Sequence, residues 1–127
     1  MKKVIAATLF AMLPAMASAD GFYTRDLGSG GDPEACVERA RQAIQMYANQ
    51  TGTPNATVNT GSWSAHGFDL MPGETDVQIA CPYRNNVSEI VLLTVHNRDS
   101  RDDRVAVVEG ISALWDQLEG GGAAPSK

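Results

Sequence analysis

With 127 residues, two cysteines and a formal net charge of −5, the chain is sized for one domain with one core. Its acidic balance lacks the basic footprint that nucleic acid demands, and anionic lipid headgroups would repel it. The first nineteen residues hold two lysines and no acid, so without them eight basic residues stand against 15 acidic ones, a net of −7.

The chain opens with Lys2 and Lys3, runs through the apolar stretch Val4 to Leu13, and reaches the small-residue pattern Ala17-Ser18-Ala19. That order predicts a signal peptide over 1–19, cleaved after Ala19, with Ala15-Met16-Ala17 as a second possible site. The apolar run falls well short of the ~20 residues a bilayer span needs, and Pro14 closes it. A lipid anchor would need a cysteine where Asp20 stands, so a bacterial protein free of membrane anchoring, periplasmic or secreted, is expected.

Residues 20–31 show neither helical nor alternating periodicity and read as an N-terminal arm. Asp32-Pro33-Glu34 is a strong helix start: a capping aspartate, a proline whose missing N–H costs nothing there, and an acid near the positive end of the dipole. Cys36, Val37, Ala40, Ile44, Tyr47 and Ala48 then recur at helical spacing until Gly52 and Pro54. From Asn55 to Gly67 the small, polar and β-branched residues predict one weak edge strand, and Phe68 to Glu74, with Pro72-Gly73, a loop.

Clean alternation marks Thr75 to Cys81 as a strand with Val77, Ile79 and Cys81 on one face. A turn over Pro82 to Asn86, where the paired asparagines tolerate positive φ, leads to the apolar run Ile90 to Val95. Setting Cys81 against Val91, Ile79 against Leu93 and Val77 against Val95 makes one face wholly apolar, and a slip of one residue would exchange every side chain. The opposite face then carries Ile90, Leu92, Thr94 and His96 beside Ala80, Gln78 and Asp76, a mixed surface to be covered by the N-terminal arm, a partner or a second copy. Asp99 or Ser100 can cap a second helix whose stripe is Val105, Val108, Ile111, Leu114 or Trp115, and Leu118. Gly110 within it suggests a close helix–sheet contact. The domain thus spans 32–119: Gly120-Gly121-Gly122 stops the helix, and residues 120–127 read as a disordered tail.

Two cysteines in an exported chain predict a structural disulfide between Cys36 and Cys81, because their spacing fits neither a C-x-x-C pair nor a zinc pattern. His66 and His96, thirty residues apart, are the only imidazoles. If the strands converge, they form a two-histidine, one-carboxylate group with Asp69 or Asp76, the basis of an alternative reading as a transition-metal or small-ligand binding protein. Trp63, with Phe68 and Tyr83, is a candidate aromatic patch for a glycan, peptide or protein partner. There is no G-x-S-x-G elbow, no S-x-x-K pattern and no cofactor fingerprint.

The expected architecture is α+β in the order helix, strand, strand, strand, helix, with a mainly antiparallel three-stranded sheet and both helices on one face. The expected function is that of an exported non-enzymatic binding or accessory domain, such as an inhibitor or assembly partner. It would act on an unknown protein or small ligand through Ile90 and Leu92 or through Trp63, with a homodimer as one arrangement.

Overall fold

The computed structural model describes residues 21–122, so the expected signal peptide and the end of the tail lie outside the described residues. The elements run β1 (Gly21–Asp26), α1 (Pro33–Gln50), β2 (Val58–Thr60), β3 (Ser64–Leu70), β4 (Thr75–Ala80), β5 (Leu92–Asn97) and α2 (Arg101–Gly122). The five strands form one antiparallel sheet in the order β1-β5-β4-β3-β2. The α+β class and the single disulfide are as expected, but the sheet has five strands rather than three.

The two additional strands come from the ends of the sheet. Thr60-Gly61-Ser62-Trp63-Ser64 splits the segment expected as one weak strand into a hairpin, with the N–H of Gly61 donating to the Ser64 carbonyl at 2.8 Å. β3 then continues past Gly67 through an irregularity, and Leu70 pairs with Thr75 across a turn holding a cis Met71–Pro72 bond. The expected N-terminal arm contains β1, which pairs along the whole of β5 from Gly21 opposite Asn97 to Asp26 opposite Leu92. Its alternation is hard to see because one inward residue is charged: Arg25 reaches α2, where it meets the carboxylate of Glu109 and donates to Ser112 Oγ at 3.3 Å.

The register of the central pair follows the apolar pattern. Val77 lies opposite Val95 and Ile79 opposite Leu93, and the line continues beyond the ladder to the buried Cys81 and Val91. Burial alternates strictly along β4 and β5, so Thr75, Val77, Ile79, Leu93, Val95 and Asn97 face inward. Both helices cover that face. α1 contributes Cys36, Ala40, Ala43, Ile44, Tyr47 and Ala48, and α2 contributes Val107, Val108, Ile111, Leu114 and Trp115. Gly67 lets α1 come close, because a β-carbon there would meet Ile44 and would stand 3.3 Å from Leu70 Cδ1.

The helix ends are made as their sequences dictate. The Asp32 carboxylate accepts from the Ala35 N–H at 2.9 Å, and Thr51 closes α1 by donating from both its N–H and its hydroxyl to the Tyr47 carbonyl. At α2 the cap is Ser100, whose Oγ accepts from the Asp103 N–H at 3.1 Å. Its entry is fixed by a buried polar chain: Arg104 donates to Asn97 Oδ1 at 2.9 Å, and Asn97 donates to Thr75 Oγ1 at 3.0 Å, which in turn donates to the Pro72 carbonyl at 2.8 Å. Such a chain is tolerated in a core because each polar group in it is partnered. α2 runs to Gly122, past the end expected at residue 119.

Cys36, in the first turns of α1, is bonded to Cys81 just past β4, with Cα atoms 6.2 Å apart. The bridge ties the start of α1 to the end of the sheet that leads into the 82–91 connection. Asn85 and Asn86 take φ of 52° and 59° there, as the turn chemistry requires.

Candidate functional site

Outward-facing residues of the strands form a surface that no element among the described residues covers. By register they lie in three rows: Phe22, His96 and Asp76; Thr24, Thr94, Gln78, His66 and Asn59; Asp26, Leu92, Ala80 and Ser64. Phe22 is 73% exposed, Ile90 52%, Phe68 40% and Leu92 37%, whereas the inward residues of β4 and β5 are all buried. A β-sheet in a two-layer domain buries one face against its helices, so large apolar side chains left on the other face require a separate explanation.

Strand pairing places two ring pairs on this surface. Phe22 on β1 packs beside His96 on β5, ring centroids 4.7 Å apart and tilted by 37°. On β3 the His66 and Phe68 rings lie nearly parallel, with centroids 6.4 Å apart. The two pairs flank β4 and bound a shallow basin of about 290 Å³ floored by Gln78 and Thr94, with Asp76 at one end. His66 is held in place by its Nε2, 2.9 Å from Ser64 Oγ. Asp76 is oriented by the Asp69 N–H, which donates to its Oδ1 at 3.1 Å.

His66 and His96 therefore share a face, as the sequence reading required, but β4 lies between their strands. Among the described residues, no group of three or more His, Cys, Asp or Glu side chains gathers closely enough to hold a metal ion. The aromatic residues grouped by sequence separate in space by element: Phe68 belongs to the open face, Trp63 to the β2–β3 turn, and Tyr83 to the β4–β5 connection. Trp63 and Tyr83 are both about half exposed. Ile90 precedes β5, and Leu92 begins it opposite Ala80 and Asp26, so the N-terminal segment lies alongside these residues rather than over them.

Sequence reasoning missed Phe22 as a member of this surface, because its neighbour Tyr23 is also aromatic and hides the alternation. Only the pairing of β1 with β5 shows that the two rings point to opposite faces.

A second concavity of about 680 Å³ lies between the start of α1, the β2–β3 turn and the 82–86 turn, lined among others by Asp32, Glu34, Glu38 and Tyr83. Glu38 is committed to Arg41, whose Nη2 and Nε donate to it at 2.7 and 2.9 Å, and this pairing, with a further hydrogen bond from Gln42, holds its carboxyl down to about 2. A third basin, lined by Asp69, Glu74, Asp76, His96, Arg98 and Asp99, adjoins the open face at the Asp76 end.

Among the described residues, no helix is long and apolar enough to cross a membrane. No protein-family model, curated protein or solved structure matches the chain.

Proposed function

We propose that this chain is an exported binding domain that engages a partner through the open face of its sheet, in an accessory or inhibitory role. The observation that carries this reading is the asymmetry of the sheet: two helices seal one face, while Phe22, Phe68, Ile90 and Leu92 stand exposed on the side of the other. These apolar groups alternate with Thr24, Thr94, Gln78, His66 and Asn59, so the surface offers hydrogen-bonding groups beside its aromatic anchors. That mixture of exposed rings and polar neighbours is typical of recognition surfaces.

Export is supported by two independent features. The segment Lys2 to Ala19 has the order of a signal peptide, and the Cys36–Cys81 disulfide fits an oxidising compartment such as the periplasm or the medium.

Site-specific photo-crosslinking in the native host tests the reading. A photoreactive residue at position 22 or 92 should give a discrete adduct, and the same probe at Ala106 or Ala113 on the exposed side of α2 should give none. Adducts from α2 alone, or none at positions 22 and 92, would refute the assignment of the open face.

A further inference from the structure

We infer that the partner is a cationic polypeptide, and that the basin between the Phe22–His96 and His66–Phe68 pairs receives one of its arginine side chains. This inference rests on the open face being the binding surface and adds the chemistry of what binds there.

The charge distribution is the first argument. The outward residues of the five strands include Asp26 and Asp76 but no lysine or arginine, and beyond the Asp76 end Asp69, Glu74 and Asp99 outnumber the single Arg98. Four of the arginines are engaged away from this face: Arg25 pairs with Glu109, Arg39 with Glu119 and Arg41 with Glu38, all on the helical side, and Arg104 is buried against Asn97. Arg98 and Arg84 border the face, beyond the Asp76 end and beside Ile90, and neither lines the basin itself. The described residues contain no lysine. An acidic surface of this kind attracts a cationic segment over the range of a Debye length and repels an acidic one.

The shape and chemistry of the basin select arginine. A guanidinium is planar, stacks on aromatic faces and presents a fork of N–H donors to a carboxylate. Rings stand on both sides of the basin, the Asp76 carboxylate closes one end, and the Gln78 and Thr94 side chains supply acceptors on the floor. A lysine ammonium would satisfy the charge but leave the rings and the in-plane acceptors unused. Beyond the basin, the exposed Leu92 and Ile90 offer an apolar ledge for residues flanking the arginine, which favours a polypeptide over a free small cation.

The test is a titration of the ¹⁵N-labelled, disulfide-bonded protein at neutral pH. The probes are acetyl-Leu-Arg-Leu-amide and the same peptide with neutral, isosteric citrulline in place of arginine. The arginine peptide should give saturable shifts at Phe22, His66, Gln78, Thr94 and His96, and citrulline should bind at least about tenfold more weakly, as loss of a charge-assisted contact implies. Asp76→Asn and Phe22→Leu should each weaken binding by a similar factor, and Glu34→Gln, on the separate α1 concavity, should not. Equal binding of both peptides, shifts centred on Glu34 and Glu38, or no shifts would overturn the inference. Light scattering provides a further arm: a concentration-dependent dimer abolished by Asp76→Asn would assign the basin to an arginine of a second copy and overturn the separate partner. If the peptides fail while photo-crosslinks at positions 22 and 92 persist, the arginine assignment falls and the open-face reading stands.

Discussion

The Tyr47 ring on α1 fills the space directly above Gly110 on α2, where a β-carbon would meet ring atom Cε2 and stand 2.9 Å from Cδ2. The tyrosine cannot simply swing away, because it is buried and its hydroxyl donates to the Met71 carbonyl at 2.8 Å. Two effects therefore oppose each other in Gly110→Ala. Alanine improves helix propensity by about 1 kcal/mol, whereas forcing a methyl group into a packed ring contact costs typically 1–3 kcal/mol. Packing should win, so Gly110→Ala is expected to lower stability by about 1 kcal/mol in chemical denaturation, and the loss should shrink in a Tyr47→Leu background. A more stable Gly110→Ala protein would show that the helices separate at little cost.

The Cys36–Cys81 bridge closes a loop of 45 residues. In the chain-entropy model, opening such a loop returns about 4 kcal/mol of conformational freedom to the unfolded chain, an upper figure because the unfolded chain retains structure. Replacing both cysteines with alanine should lower Tm by roughly 15–25 °C for a domain of this size, and reduction of the wild-type protein should lower it comparably. An unchanged melt would mean that packing alone holds the start of α1 to the sheet.

Several elements of this fold were legible in the sequence because local chemistry and tertiary packing agree there. Asp32-Pro33-Glu34 opens α1, Asn85-Asn86 turns the chain, and the alternation of Val77 and Ile79 fixes their pairing with Val95 and Leu93. β1 was not legible, because its inward positions are Tyr23 and Arg25 and a charged residue inside a sheet makes sense only once Glu109 and Ser112 are known to face it. Residues 55–67 read as one strand and 68–74 as a loop, whereas β2 and β3 divide the first span and β3 runs on to Leu70, since a tight turn at Gly61-Ser62 is a weak local signal and β2 is only three residues long. Gly110 was correctly a sign of close approach, but its neighbour is a helix rather than the sheet. The candidate site was half legible: Ile90, Leu92, His66 and His96 could be named, but Phe22 and the facing ring pairs depend on β1 joining β5.

The Glu38–Arg41 pair gives a pH dependence with a definite sign. Hydrogen bonds from Arg41, and then from Gln42, hold the Glu38 carboxyl at about 2, below the usual carboxylate value of 4.5. A carboxyl lowered by folding stabilises the native state above its unfolded value, and that contribution is lost as pH falls from about 4.5 towards 2. Glu109 is shifted the same way by Arg25. Both pairs are largely solvent-exposed, so their effect on stability should be small. Carboxyl-carbon NMR titration should find the Glu38 midpoint depressed in the wild type and returned to the ordinary range by Arg41→Ala. An ordinary midpoint in the wild type would show that the pair does not persist in solution.

Leu92 and Leu93 are adjacent, identical in chemistry and opposite in environment: Leu93 is fully buried opposite Ile79, and Leu92 is 37% exposed opposite Ala80. Truncating a leucine inside a packed core costs 2–5 kcal/mol, through lost transfer energy plus the cavity left behind. A partly exposed leucine loses far less, so Leu93→Ala should cost about 3 kcal/mol and Leu92→Ala within about 1 kcal/mol. The comparison also tests the register, because a slip of one residue would exchange the two values. If both substitutions cost the same, the outer face must be covered in solution. A covering second copy would make the Leu92→Ala penalty grow with protein concentration, since association stabilises the folded state by mass action, whereas a penalty independent of concentration would point to coverage from within the chain.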